Sequence, residues 1–369
     1  METVVYLLGA GFSAPLGLPV MQNFRLKSQE MYFANIHKYA HFTDVFDTLK
    51  DLSVVKNFFN ADLYNIEEIL SILEMDDHLK GRRLRESFTQ YIADVITHYT
   101  PEMADYINLP GNWYDFLFGS EAKWSAYGQF VGALLNLRVW HLPTGYSSPM
   151  TYKDLVIGSI AQPNVRYSIV TLNYDLILEK VCDFINANYT IYTIKEPIAF
   201  STSIDIAHKE SSPEYEGPVT ASIAKLHGSI QTHAIVPPTW NKNVYPDIVP
   251  AWQLAYRVLA DATQLRIIGY SLPTADAYIK FLLKSAIKEN RRLKAIDVIC
   301  RDRAGSAKAR YSEFITFNDY NFINADVSEY LQTHKQIYEH TVRPVDLAEG
   351  IAINKLEEAH AKFVADHSS

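Results

Sequence analysis

The chain has 369 residues, of which 48% are hydrophobic and 21% charged. At roughly 100–200 residues per domain, this length allows two or three domains, or one large domain with an insertion, and the apolar fraction excludes wholesale disorder. Lys and Arg number 34 against 42 Asp and Glu, a net charge of −8, which disfavours direct nucleic-acid binding by phosphate neutralisation but leaves room for a local basic patch. Two cysteines occur, Cys182 and Cys300; they exclude a four-cysteine zinc site and a disulfide framework, and fit a reducing cytoplasm. The longest apolar runs, residues 4–8 and 130–137, fall well short of the roughly 18 residues of a membrane span. No basic region precedes the first run, so a signal peptide is not expected.

Val4-Val5-Tyr6-Leu7-Leu8 reads as a strand buried on both faces of a parallel sheet. It runs into Gly9-Ala10-Gly11-Phe12-Ser13-Ala14, after which Pro15, Gly17 and Pro19 prevent an immediate long helix. Residues 21–166 show helical spacing and no obvious strand. Helices are expected at 65–73, 84–96 and 127–139, with turn clusters at 108–112 and 143–145. Strands return at 167–171, 221–226, 264–268 and 295–300. The first leads into a helix at about 176–186 and the third into one at about 274–289. Residues 201–217 are polar and turn-rich, and an exposed loop is expected there. The amphipathic tail, 348–364, is expected to pack on protein. The fold class is therefore α/β, a Rossmann-like parallel sheet with a large helical insertion and functional loops at the strand C-termini. The expected division is a core of residues 1–20 and 161–305, a helical insertion of 21–160, and a helical C-terminal extension of 306–369.

Four strand ends carry chemistry. Gly9-Ala10-Gly11-Phe12-Ser13-Ala14 fits the G-x-G-x-x-G/A form, in which missing side chains let a backbone approach a pyrophosphate; a plain strand-to-helix turn would look the same. Thr171-Leu172-Asn173-Tyr174-Asp175 delivers an amide that both donates and accepts, suited to a ribose hydroxyl or a water, or an Asx turn capping the next helix. Leu226-His227-Gly228-Ser229 offers an imidazole as general base, or a structural histidine. Gly269-Tyr270-Ser271 allows close approach and a hydroxyl contact, with Asp276 at the start of the next helix as the capping alternative. His37 and His41 have helical metal-pair spacing but no evident third ligand. No G-x-x-x-x-G-K-[ST] loop occurs. Trp113, Trp124 and Trp140 suit packing or an oligomer interface better than base stacking.

Taken in order, these segments resemble the sirtuin-like (silent information regulator) family. Gly9-Ala10-Gly11-Phe12-Ser13 with Gly17-Leu18-Pro19 resembles its nucleotide loop, and Thr171-Leu172-Asn173-Tyr174-Asp175 its Thr-x-Asn-x-Asp motif. Leu226-His227-Gly228 resembles its catalytic histidine segment, and Gly269-Tyr270-Ser271 its late Gly-x-Ser segment. Three departures stand beside these matches: no zinc-ribbon cysteines, Val20-Met21-Gln22 where the family has Asp-Phe-Arg, and a much larger helical stretch. They resemble the bacterial anti-phage defence type that hydrolyses NAD.

The resemblance implies an NAD glycohydrolase that releases nicotinamide and ADP-ribose, with NAD as substrate, no metal and no structural zinc. Asn173 and His227 would be catalytic. Gly9, Ala10, Gly11 and Ser13 would cradle the diphosphate, Gly269 and Ser271 would meet the adenosine half, and Asp175 would orient Asn173 or its loop. It further implies antiviral NAD depletion, homo-oligomerisation, a partner such as an ATPase or another defence-system protein, and no membrane association. The alternatives are a non-catalytic NAD- or ADP-ribose-binding scaffold and a protein deacylase or ADP-ribosyltransferase.

Overall fold

A computed structural model describes residues 1–59, 66–80, 84–103, 122–141, 154–159, 164–191, 197–206, 221–231, 234–236, 246–274, 276–341 and 350–367. Its strands are β1 (Glu2–Leu8), β2 (Leu137–His141), β3 (Leu155–Ser159), β4 (Val165–Thr171), β5 (Thr190–Ile191), β6 (Ser222–Lys225), β7 (Gly228–Ser229), β8 (Ala234–Ile235), β9 (Gln264–Ile268), β10 (Ala295–Ile299), β11 (Tyr320–Ile323) and β12 (Ile351–Ala352). Its helices are α1 (Met21–Ala34), α2 (Phe42–Leu52), α3 (Ile66–Lys80), α4 (Leu84–Tyr99), α5 (Ala122–Leu134), α6 (Ile177–Asn188), α7 (Val249–Ala260), α8 (Ala277–Glu289), α9 (Ser306–Phe314), α10 (Val327–Thr341) and α11 (Leu356–His367).

The central sheet has six strands in the order β11-β10-β9-β1-β4-β6, and every neighbouring pair is parallel. The chain lays β4 and β6 on one side of β1, then returns to lay β9, β10 and β11 on the other. This is the doubly wound strand order, and its direction reverses between β1 and β9, the place where such sheets open a crevice at their carboxyl edge. The α/β expectation holds. Strand β1 shows why: Val4, Tyr6 and Leu8 enter one hydrophobic core and Val5 and Leu7 the other, so both faces of the strand are buried. Helices α7, α8 and α9 supply buried residues to the second core, and α1 to α6, α10 and α11 to the first.

Three expectations fail. The stretch 21–166 is not free of strands: β2 and β3 pair antiparallel and, with β5 and β12, make a four-stranded sheet. The helix expected over 127–139 ends at Leu134, and Asn136 takes a left-handed φ of 51°. That conformation breaks the helical hydrogen-bond run and lets Leu137 start a strand. Nor is the stretch after 305 only helical, since β11 closes the central sheet and β12 pairs with β2. The turn clusters at 108–112 and 143–145, Trp113 and residues 207–217 of the expected loop lie outside the described residues. Among the described residues no helix is long and apolar enough to cross a membrane.

Candidate functional site

The loop after β1 folds as two short 3-10 turns, Ala10–Phe12 and Ala14–Leu16, and α1 starts only at Met21, as the prolines require. The glycines have a structural role in this loop. The Gly9 N–H bonds Ile268 O at 3.0 Å and the Gly11 N–H bonds Gly269 O at 2.8 Å. A Cβ on Gly9 would lie 2.7 Å from Tyr270 Cα, and one on Gly11 2.8 Å from Gly269 Cα. The missing side chains therefore let the β1 and β9 loops pack backbone to backbone across the switch point. Ala10 is exposed at the edge, and Ser13 is buried.

At the end of β4, Asn173 Nδ2 donates to Gly9 O at 3.0 Å and to Ser13 Oγ at 3.2 Å. Ser13 Oγ in turn donates to Asp175 Oδ2 at 2.6 Å. Asp175 Oδ1 accepts the Ile177 N–H at 3.2 Å, so the Asx-turn role and the orienting role coexist. Both amide protons of Asn173 are thus engaged, which fixes the amide's orientation and makes Oδ1 the atom it presents. Burial pushes the Asp175 carboxyl up from its ordinary range, opposed by the Lys225 ammonium and the Ser13 hydroxyl.

Strand β6 pairs with β4 so that Lys225 lies opposite Thr171. His227 and Asn173 each follow two residues later, on neighbouring parallel strands and at the same sheet edge. His227 is buried, its ring 6.0 Å from that of Tyr174. The two loops are braced by Leu226 N–H to Thr171 O and Ile230 N–H to Tyr174 O, each 3.0 Å. Gly228 takes a φ of 78° and starts β7, which pairs antiparallel with β8, and the Val236 N–H beyond β8 bonds His227 O at 2.9 Å.

Across β1, Gly269 has a φ of 65° and Leu272 a φ of 51°. Tyr270 is turned inward, its hydroxyl donating to Asp276 Oδ2 at 2.6 Å, while Ser271 is exposed with its carbonyl held by Arg310 at 2.9 and 3.1 Å. Gly9, Gly11, Ser13, Asn173, Asp175 and Gly269 are therefore in one contact network, His227 is on the adjoining strand end, and Ser271 stands on the other side of β1. Sequence reasoning missed Lys225, Tyr127 and Arg310. Tyr127 donates to Phe12 O from α5, a contact between residues far apart in the chain. Lys225 did leave a signal, a cation directly after the apolar pair Ile223-Ala224 and two residues before the histidine.

Among the described residues no group of three or more His, Cys, Asp or Glu is placed to hold a metal. Cys182 and Cys300 lie in different cores on opposite sides of the sheet, and His41 Nε2 sits 2.8 Å from the Asp94 carboxylate.

A doubly wound sheet with polar and glycine residues at its carboxyl edge is the architecture of a nucleotide-binding α/β protein. The family model described as a SIR2-like domain matches residues 167–323, the stretch that carries Asn173, Asp175, His227, Gly269 and Ser271. Over that stretch the chain is similar to the SIR2-like domain, and the match supports binding and use of NAD. No curated protein sequence matches the chain. Similar solved structures include a triple mutant of a Sir2 homologue in complex with 2′-O-acetyl-ADP-ribose, 12% identical over 92% of this chain and 91% of that one, with a TM-score of 0.37. Sir2 bound to an acetylated peptide, and Sir2 with a p53 peptide and NAD+, are each 10% identical over 91% of this chain and 92% of theirs, with TM-scores of 0.34.

Proposed function

We propose that the protein is an NAD glycohydrolase that cleaves the nicotinamide–ribose bond, releasing nicotinamide and ADP-ribose, and that it acts as an oligomeric, NAD-depleting effector of anti-phage defence beside a partner protein. Residues 1–20 and 161–305 would form most of the catalytic core. The observation that carries the reading is the locked amide of Asn173, which offers an acceptor at the strand end next to His227.

The chemistry asks little of the protein. Nicotinamide leaves as a neutral molecule from a cationic ring, so no strong general acid is needed, and the ribose passes through an oxocarbenium-like state. Water then adds to the anomeric carbon and loses a proton. Asn173 Oδ1 accepts a hydrogen bond from that water or from a ribose hydroxyl, and His227 takes the proton. The balance is NAD+ and water in, nicotinamide, ADP-ribose and a proton out. Gly9, Ala10, Gly11 and Ser13 would line the diphosphate, Ser13 through backbone because its hydroxyl serves Asp175. Gly269 and Ser271 would flank the adenosine half.

Nicotinamide and ADP-ribose release from NAD tests this. His227→Ala should fold and lose about 10²–10⁴ in rate, and Asn173→Ala should fold and barely turn over. Wild-type turnover in both variants overturns the assignment. Binding of ADP-ribose without turnover, with cellular NAD unchanged on activation, would indicate a scaffold. NAD loss that depends on an acyl-lysine peptide would indicate a deacylase.

A further inference from the structure

Lys225 is the least expected side chain in β6. Its neighbours Ile223, Ala224 and Leu226 are buried and apolar, yet its ammonium lies 2.6 Å from Asp175 O and 2.6 Å from Glu179 Oε1. The side chain is only 16% exposed, so these charge-assisted bonds are partly shielded from water. Asp175 O belongs to the loop between Asn173 and α6, and Glu179 to the first turn of α6. One cation on the histidine-bearing strand therefore grips the asparagine-bearing loop at two points.

We propose that Lys225 is a positioning residue for the reaction proposed above: its ammonium clamps the Asp175 carbonyl and the Glu179 carboxylate, and so fixes the loop carrying Asn173 against the strand that delivers His227. The inference rests on that functional reading. Its geometry is that of a brace. Asp175 is held by Ser13 and Ile177 through its carboxylate and by Lys225 through its carbonyl. Ser13 transmits the position of that carboxylate to the amide of Asn173. Among the described residues, the charged or titratable groups that act on Asp175 are Lys225, Glu179 and Tyr127, and Lys225 is the cation among them. Its charge favours the carboxylate form, the form to which Ser13 donates. A protonated Asp175 would itself donate, and the Ser13 hydroxyl would lose the acceptor that orients it. Catalysis on this account needs Asp175 ionised. Activity then falls as pH drops through the Asp175 pKa, and removing the ammonium moves that acid limb to higher pH.

The experiment compares the full chain with Lys225→Met, Lys225→Arg and Glu179→Gln. Three readouts are taken: kcat and KM for nicotinamide release, the pH profile of kcat, and hydrogen exchange of the amides at 173–178. In Lys225→Met, kcat should fall by about tenfold to a hundredfold, as for a misplaced catalytic group, with KM for NAD little changed. Its acid limb should move up, and its loop amides should exchange faster. Lys225→Arg should recover part of each change, and Glu179→Gln should show a smaller loss of loop protection. Lys225→Met with wild-type kcat, acid limb and exchange overturns the proposal. So does equal damage to kcat and KM with no shift of the acid limb, the signature of general destabilisation. A wild-type chain that neither binds nor cleaves NAD would instead end the functional reading, and exchange at 173–178 would still decide whether Lys225 holds the loop.

Discussion

A methyl group on Gly269 would sit 2.3 Å from Phe12 N and 2.5 Å from Gly11 C, at a φ of 65° that side chains rarely adopt. The neighbouring atoms are backbone and cannot rotate away. Gly269→Ala should therefore cost about 3 kcal/mol or more, overpacking and backbone strain together. Gly305 shares the left-handed conformation, with a φ of 73°, but has open space where its Cβ would go. Gly305→Ala should cost only the conformational term, about 1–2 kcal/mol. Urea unfolding of both variants checks this, and equal losses would show that the contact between the β1 and β9 loops contributes nothing. The same glycines show what the sequence makes legible. Polar and glycine residues after apolar runs revealed which positions gather at the sheet edge. They did not reveal that the glycine hydrogens face another loop, because that loop is some 260 residues away. Asn173 was legible as an amide at a strand end. The partners that lock it, Gly9 O and Ser13 Oγ, come from folding and not from spacing.

At the scale of elements, the central sheet carries a polar row across four strands. Tyr6, Arg266, Asp297 and Asn321 stand in register on β1, β9, β10 and β11. The elements packed over them answer in kind. Arg266, 1% exposed, bonds Glu357 through both of its terminal nitrogens, at 3.0 and 2.6 Å. Tyr6 meets Tyr330 at 3.1 Å, Tyr330 meets His360 at 3.2 Å, and His360 meets Asp297 at 3.0 Å. Tyr167 on β4 adds a bond to Glu357 at 3.0 Å. This network keys α11 to one position on the sheet. Arg266 is buried while the Glu357 side chain is 34% exposed, so a carboxylate at the rim compensates a guanidinium held out of water. Glu357→Ala strands the guanidinium and should destabilise by about 3 kcal/mol, whereas Arg266→Met with Glu357→Leu should recover most of that loss. Denaturant midpoints decide it, and a double variant as weak as the single one would mean that the pair itself is the stabilising term. The tail was legible as an amphipathic helix, but its docking was not, because Glu357 and His360 look like surface residues in a linear chain. Strands β2 and β3 escaped for a related reason. Each has five residues, too few to show a period, and the first follows a helix whose end is set by the backbone of Asn136 and not by a glycine or proline.

For the molecule as a whole, the buried histidines set the response to acid. His334 on α10 is 1% exposed, and burial pushes its imidazole down to about 4. His360 is lowered as well, burial outweighing the Asp297 carboxylate beside it, and Asp297 is itself held below its usual range by His360 and Asn321. All three have the same sign. The unfolded chain binds protons that the folded chain refuses, so stability is full above the unfolded values and drains as pH falls. For His334 the window runs from about 6.5 down to about 4, and at pH 5 the loss from this one group is about 2 kcal/mol. Asp175 works the other way, since its raised carboxyl holds a proton that the unfolded chain has released, and its contribution declines as pH rises through its folded value. Its contribution therefore opposes that of the histidines wherever the two ranges overlap. The expectation for His334 itself is that its contribution to unfolding free energy drops between pH 6.5 and 5. Replacing His334 with Leu keeps the site apolar and removes its proton. Stability measured by urea unfolding at pH 7, 6 and 5 should then lose about 2 kcal/mol less in the variant than in the wild type. Parallel pH curves for the two proteins would place the acid sensitivity elsewhere, in the Asp297–His360 pair that anchors α11.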